Sequence, residues 1–254
     1  MLSRFVALSV SLTLEVSPLQ FTTGDDNIAG HANDTLVEDS YFGSGHGASI
    51  GSLCDSYIRN FTVRNSVSLS SSVSSGPHRK ERRQVRNCSF HGTTAATRIK
   101  SHPGCGGHVW DVRYEDLTLH DCPTAIQLNQ FYFAKPGDKP ATMRFERIHF
   151  VNITAHRGGG GSAGSGGDTE AVVNLDCDTK YNGVNNCDVT LQDVHFTGLS
   201  KKEQETGMVC KGVKGTATVR PQRSSLPRIA RLTRLACGGL QGLTGLNNCL
   251  KEAR

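Results

Sequence analysis

The chain has 254 residues, 28 of them glycine and nine cysteine, and a formal net charge of +5. That length holds one large domain or two small ones, and no apolar run reaches the roughly 20 residues that a membrane-spanning helix needs. The positive balance sits in Arg79-Lys80-Glu81-Arg82-Arg83 and in the stretch from Pro221 to Arg254. The rest is net acidic, which argues against a nucleic-acid-binding face and against a membrane partner.

Residues 1–20 open with Arg4 ahead of an apolar run from Phe5 to Leu14. This is the pattern of a secretory leader, with an edge strand or a non-native segment as the alternatives. Residues 21–220 then alternate β-branched and aromatic residues with Asn, Asp and Gly, a composition for strands and not for helices. Five stretches share one register: Thr35 to Phe42, Tyr57 to Asn65, Val109 to Leu119, Met143 to Ile153 and Asn186 to Phe196. Each reads as short strands around an Asn or Asp kink, repeated every few tens of residues, which predicts an all-β solenoid of stacked parallel coils. A β-sandwich is the competitor. It would call for Asn-Gly or Asp-Gly hairpin dipeptides, and Asn182-Gly183 is the only one present.

Three segments break the pattern. Residues 66–84 form a serine run and a basic cluster between two copies of Val-Arg-Asn, Val63 to Asn65 and Val85 to Asn87. Deleting one copy with the intervening residues leaves a smooth strand, so the segment reads as an unstructured insertion. Residues 158–167 read as a Gly/Ser loop, and residues 221–254 as a disordered basic tail.

The cysteines form no C-x-x-C pair, so they favour disulfides over a metal site. Sequons occur at Asn33, Asn60, Asn87 and Asn152, which in an exported chain are glycosylation acceptors. Cysteines and sequons together point to the secretory route.

Three clusters carry chemistry: Gly24-Asp25-Asp26, Gly45-His46-Gly47-Ala48-Ser49-Ile50-Gly51-Ser52, and Arg98-Ile99-Lys100. Close carboxylates shift each other's pKa and so divide acid and base roles. Arg98 and Lys100 are two apart, hence on one face of a strand, where they could bind an anion. Gly47-Ala48-Ser49-Ile50-Gly51 also matches the G-x-S-x-G elbow of serine hydrolases. That motif needs a helix next, and the following residues read as a strand.

Together the clusters resemble glycoside hydrolase family 28, the polygalacturonases, from about Thr23 to Arg220. The Asp26 to His46 spacing agrees with the family, and His46 to Arg98 is longer by about the length of the insertion. Gln130-Phe131-Tyr132 and the Cys177/Cys187 bracket belong to the same resemblance. It implies a right-handed parallel β-helix of the pectin-lyase-like type over 21–220, incomplete at its N-terminus. It also implies inverting hydrolysis of α-1,4-galacturonosyl linkages, with two carboxyl functions roughly 6.5–9.5 Å apart around a water. By that resemblance Asp25 is the general acid, Asp26 helps activate the water and His46 tunes the acid. Arg98, Lys100 and Tyr132 then contact the substrate, and Cys177 pairs with Cys187. The expectation is a secreted, cell-wall monomer acting on pectin or polygalacturonate, without metal or cofactor. The family's further base Asp lies in an Asn-Thr-Asp motif ahead of Asp25, near the position of Arg4, and the chain carries no such motif. The alternative is therefore a catalytically impaired, pectin-binding remnant of the same fold.

Overall fold

The computed structural model describes residues 14–16, 19–64, 88–158, 171–179 and 187–218. Every strand pairing in it is parallel. One sheet runs β1 (Leu14–Val16), β4 (Thr35–Glu38), β7 (Ser56–Arg64), β10 (Gly107–His120), β12 (Arg144–His156), β14 (Cys187–Thr197) and β16 (Val213–Thr218). The short β2 (Gln20–Phe21), β5 (Tyr41–Phe42) and β8 (Ser89–His91) join its margin. A second sheet runs β3 (Ile28–Gly30), β6 (Ala48–Leu53), β9 (Ala95–Ser101), β11 (Thr124–Asn129), β13 (Val173–Asp176) and β15 (Met208–Lys211). Neighbouring strands in each sheet come from successive coils. The chain is a parallel β-helix, the architecture that the repeating register predicts.

Alternation along each strand turns one set of side chains inward, and coil stacking sets like positions side by side. Phe61, Val112, Ile148 and Val189 form one interior rung, and Ile50, Ile99, Leu128 and Leu175 another. All eight are fully buried. Each such side chain is worth about 1.5–3 kcal/mol in removal from water, so the rungs carry the stability of the stack. Phe21, Phe42 and Phe90 stack at ring spacings of 5.3 and 4.4 Å along a third row. Outside it, Tyr41, His91, His120 and His156 stack face to face at 4.7, 4.5 and 5.3 Å.

The Asn/Asp kinks read from the sequence are left-handed backbone corners. All but two of the non-glycine residues with positive φ are Asp or Asn, the exceptions being Phe133 and Arg147. These two residue types tolerate that region best. The corners repeat from coil to coil and tie to one another. Asn60 Nδ2 donates to Asp34 Oδ1 at 3.1 Å, and Asn152 Nδ2 to Asp116 Oδ1 at 2.7 Å. Arg147 grips Asp111 through two nitrogens, at 2.6 and 3.1 Å.

β10 pairs with β7 up to Arg64↔Glu115 and resumes with β8 at Ser89↔Thr118. Between these two pairings β10 has only Asp116 and Leu117. β7 and β8 are two pieces of one strand position. Residues 66–84 themselves, like 1–13, 159–167, 221–254 and Asn87, lie outside the described residues. Leu14–Val16 pairs in register with Thr35–Val37, so the segment with leader-like character reaches into the sheet. Asn33, Asn60 and Asn152 are exposed.

Two disulfides have both their cysteines among the described residues. Cys177 and Cys187 are bonded, with Cα atoms 6.5 Å apart, the pairing the resemblance implies. Cys54 and Cys105 are bonded too, across a sequence separation of 51. Sequence reading did not find that bond, because only the coil register brings the two together.

Candidate active site

The site is built on the outer face of the second sheet. Asp25 and Asp26 lie in the turn between β2 and β3, and Asn27 anchors that turn to the next coil. Asn27 Oδ1 accepts from the Gly47 N–H at 2.8 Å, and Asn27 N–H donates to Gly47 O at 3.0 Å. His46 N–H donates to Asp25 O at 2.9 Å. His46 thus sits between two glycines for a steric reason. Gly47 has φ +80°, and a Cβ there would lie 2.0 Å from Ala95 O. Only glycine lets the turn close this tightly against the following coil.

Asp26 is the hub. Its carboxylate accepts from Ser49 Oγ at 2.7 Å and from Lys100 Nζ at 2.7 Å, with Arg98 NH1 at 3.4 Å. The side chains of Asp26, Arg98 and Lys100 are 11, 11 and 5% exposed. Burial lowers the Lys100 pKa, and its bond to Asp26 opposes that. Asp25 is different, with a side chain 87% exposed. The Asp26 N–H donates to Asp25 Oδ1 at 2.7 Å and holds that carboxyl below its ordinary range, with His46 and Lys100 adding to the effect. His46 Nδ1 bridges the pair, 3.2 Å from Asp25 Oδ1 and 3.9 Å from Asp26 Oδ1.

Tyr132 closes the cluster from the loop after β11. Its N–H donates to Ser101 O at 3.1 Å. Arg98 and Lys100 lie 5.1 and 4.9 Å from its ring centroid, within cation–π range. Asp25, Asp26, His46, Arg98, Lys100 and Tyr132, spread over more than a hundred residues of sequence, therefore meet in one place. The arrangement can bind a carboxylate against two cations and an aromatic face, beside two carboxyls and an imidazole able to move protons.

Two aspects of the geometry bear on chemistry. Asp25, Asp26 and His46 bring one donor atom each within 4.8 Å of one another, the one such grouping among the described residues. A metal could be spanned at that distance, yet the Asp26 oxygens are already taken by Ser49, Arg98 and Lys100. The two Asp carboxyls also approach more closely than the roughly 6.5–9.5 Å that leaves room for a nucleophilic water. A water-activating carboxylate would have to lie farther away.

Two participants were not singled out from the sequence as partners in this cluster. Ser49 stands directly opposite Arg98 in the sheet and is spent on Asp26. β6 leads into β7 and not into a helix, so the serine-hydrolase elbow is absent. Tyr114, fully buried, spans the core from β10, and its hydroxyl donates to Ala48 O at 3.1 Å and lies 3.4 Å from Arg98 O. It braces the strands that carry the site from behind. The signal for Ser49 lay in its place three residues after His46; Tyr114 had none in the sequence.

Comparison with known proteins matches residues 6–219 to the model of glycosyl hydrolases family 28. An exopolygalacturonase of Arabidopsis thaliana is 29% identical over 212 residues, covering 80% of this chain and 42% of that protein. Exopolygalacturonase rpg16 of Rhizopus delemar is 28% identical over 214 residues, 80% of this chain and 46% of its own length. A polygalacturonase of Nicotiana tabacum is 28% identical over 157 residues, 58% of this chain and 34% of its own. The chain thus spans less than half the length of these relatives.

Proposed function

The chain belongs to glycosyl hydrolases family 28, and on that footing we propose that its groove binds pectin at a galacturonate carboxylate and supports inverting hydrolysis of the adjoining α-1,4 linkage. The observation that carries this reading is the buried Arg98–Lys100 pair beside Asp26 and under Tyr132. A desolvated double cation with an aromatic wall suits a planar carboxylate on a sugar. Asp25, the exposed member of the pair, is the general acid. Its carboxyl is held low in the open groove, so the acid role relies on bound polymer displacing water and raising it. His46 couples the two carboxyls, and Asp26 orders the water from its fixed position. The setting is extracellular, in cell walls, where pectin is found.

A second reading is favoured by one observation. Asp25 and Asp26 bring carboxylate oxygens within 4.8 Å of one another, closer than the roughly 6.5–9.5 Å that holds a nucleophilic water. That reading is a groove that binds pectin and turns it over slowly. One experiment separates the two. Reducing-end release from polygalacturonate by the full chain, abolished by Asp25→Asn, supports hydrolysis. Binding that Arg98→Ala weakens, with no release above background, supports the binding reading. Neither binding nor release overturns both.

A further inference from the structure

Resting on the pectin-binding reading, we propose that β11, β13 and β15 carry a second sugar site, without surplus positive charge and shaped for a methyl-esterified galacturonate, one to three coils beyond Lys100. Strand register defines the place. On the outer face, Arg98 is followed across the sheet by Gln127, Asn174 and Val209, and Lys100 by Asn129, Asp176 and Lys211. These two rows continue the groove floor away from Asp26. Coils rise by about 4.8 Å, close to the advance of one sugar in an extended polysaccharide, so the rows meet the next units of the same chain.

Unsatisfied polarity marks the rows as a binding surface. Among the described residues, five buried side-chain atoms lack a hydrogen-bond partner: Arg98 Nε, Ser101 Oγ, Gln127 Oε1, Asn174 Oδ1 and Asp176 Oδ1. All belong to β9, β11 or β13, and four stand in these two rows. Such groups are costly when left alone. Turning either amide over exchanges a lone acceptor for a lone donor, so the deficit does not depend on that choice. Sugar hydroxyls, which donate and accept, would satisfy either form.

Charge sets the selectivity. At Arg98 and Lys100, two cations stand side by side against Asp26, a paired positive patch suited to a free carboxylate. In the next rows Asp176 faces Lys211, with Nζ 3.7 Å from Asp176 Oδ1, too long for a hydrogen bond, and Asp178 adds a carboxyl nearby. The charges of Asp176 and Lys211 cancel, and an incoming carboxylate would have to desolvate against Asp176. Burial pushes the Asp176 carboxyl above its usual range, with Lys211 opposing that and Asp178 adding to it. Val209 is 41% exposed beside Asn174 and offers an apolar contact of the size of an ester methyl. Lys211 Nζ rests 5.2 Å from the Phe131 ring centroid, which holds its charge toward one wall. The site takes an uncharged unit while the neighbouring one takes a charged unit, so the groove reads a free acid followed by an ester.

The test is direct binding, by calorimetry with the full chain, of matched oligogalacturonates, unesterified and partly methyl-esterified. The wild-type chain should bind the partly esterified oligomer at least as tightly. Asp176→Asn removes one negative charge from the site and should tighten the unesterified oligomer about three- to tenfold, the scale of one nearby charge. Lys211→Gln should weaken it by a similar factor, and neither change should much affect the partly esterified oligomer. Equal effects on the two oligomers, or no effect of Asp176→Asn, would overturn the assignment while leaving pectin binding intact. Absence of any wild-type binding would instead overturn the pectin-binding reading, and this proposal with it.

Discussion

Removing Lys100 tests how the site holds itself together. Lys100 Nζ sits 2.7 Å from Asp26 Oδ2, and the two side chains are only 5 and 11% exposed. Breaking a buried pair by deleting one partner typically costs about 3–5 kcal/mol. Here Asp26 keeps Ser49 at 2.7 Å and Arg98 at 3.4 Å, so Lys100→Met should cost about 2–4 kcal/mol. Asp26→Asn leaves Arg98 and Lys100 crowded without their anion and should cost about 1–3 kcal/mol. The double variant should cost less than the sum, with a coupling of about 2 kcal/mol. Urea unfolding of the four proteins near neutral pH, by linear extrapolation, measures each corner of the cycle. A coupling below about 0.5 kcal/mol would mean that the pair is not the organising contact of the site, and the carboxylate-binding argument would lose its footing.

Acid should loosen the stack before the carboxylates titrate. Partial burial, with His120 adding, holds His91 below its ordinary pKa, and burial with Arg113 does the same to His149. Both bind protons more readily when unfolded, so stability is intact above about pH 6.5 and falls as pH drops through the folded values. Melting temperature followed from about pH 7.5 to about pH 4.5 should decline, and His91→Gln with His149→Gln should flatten the curve; an unchanged slope would remove these two groups from the account. Tyr114→Phe should lower stability by about 1 kcal/mol and speed amide exchange in β6 and β9, whereas a stabilised variant would show that the bond to Ala48 contributes nothing net. Joining Asn65 directly to Cys88 should leave the melting temperature unchanged or raised, because the register needs only two residues there and a shorter closure costs less entropy; a clear fall would show that the intervening residues are part of the core.

The long strands were legible because their alternation and their Asn/Asp corners are local properties. β10 contains a stretch picked out by pattern alone, and β12 and β14 each contain all but the first residue of one. Asp25, Asp26, His46, Arg98 and Lys100 were legible as motifs, since each cluster is contiguous in the chain. What the sequence hid depends on which coil lies on which. Cys54 meets Cys105, Ser49 stands opposite Arg98, and Tyr114 reaches Ala48 through the core. Nothing within a few residues of any of these signals its partner. Gln127, Asn174 and Asp176 were likewise invisible as a set, because a shared row exists only after the strands are stacked.

The stacked corners bear on how the coils avoid slipping past one another. Sliding one parallel strand by two residues along its neighbour keeps every apolar side chain pointing inward, so burial alone hardly opposes it. It would, however, carry Asn60 away from Asp34 and Arg147 away from Asp111, and would set a left-handed residue opposite an extended one. Each corner acts as a detent, fixing the phase of its coil against the previous one. A groove whose residues come from separate coils can hold them in line only if that phase is fixed.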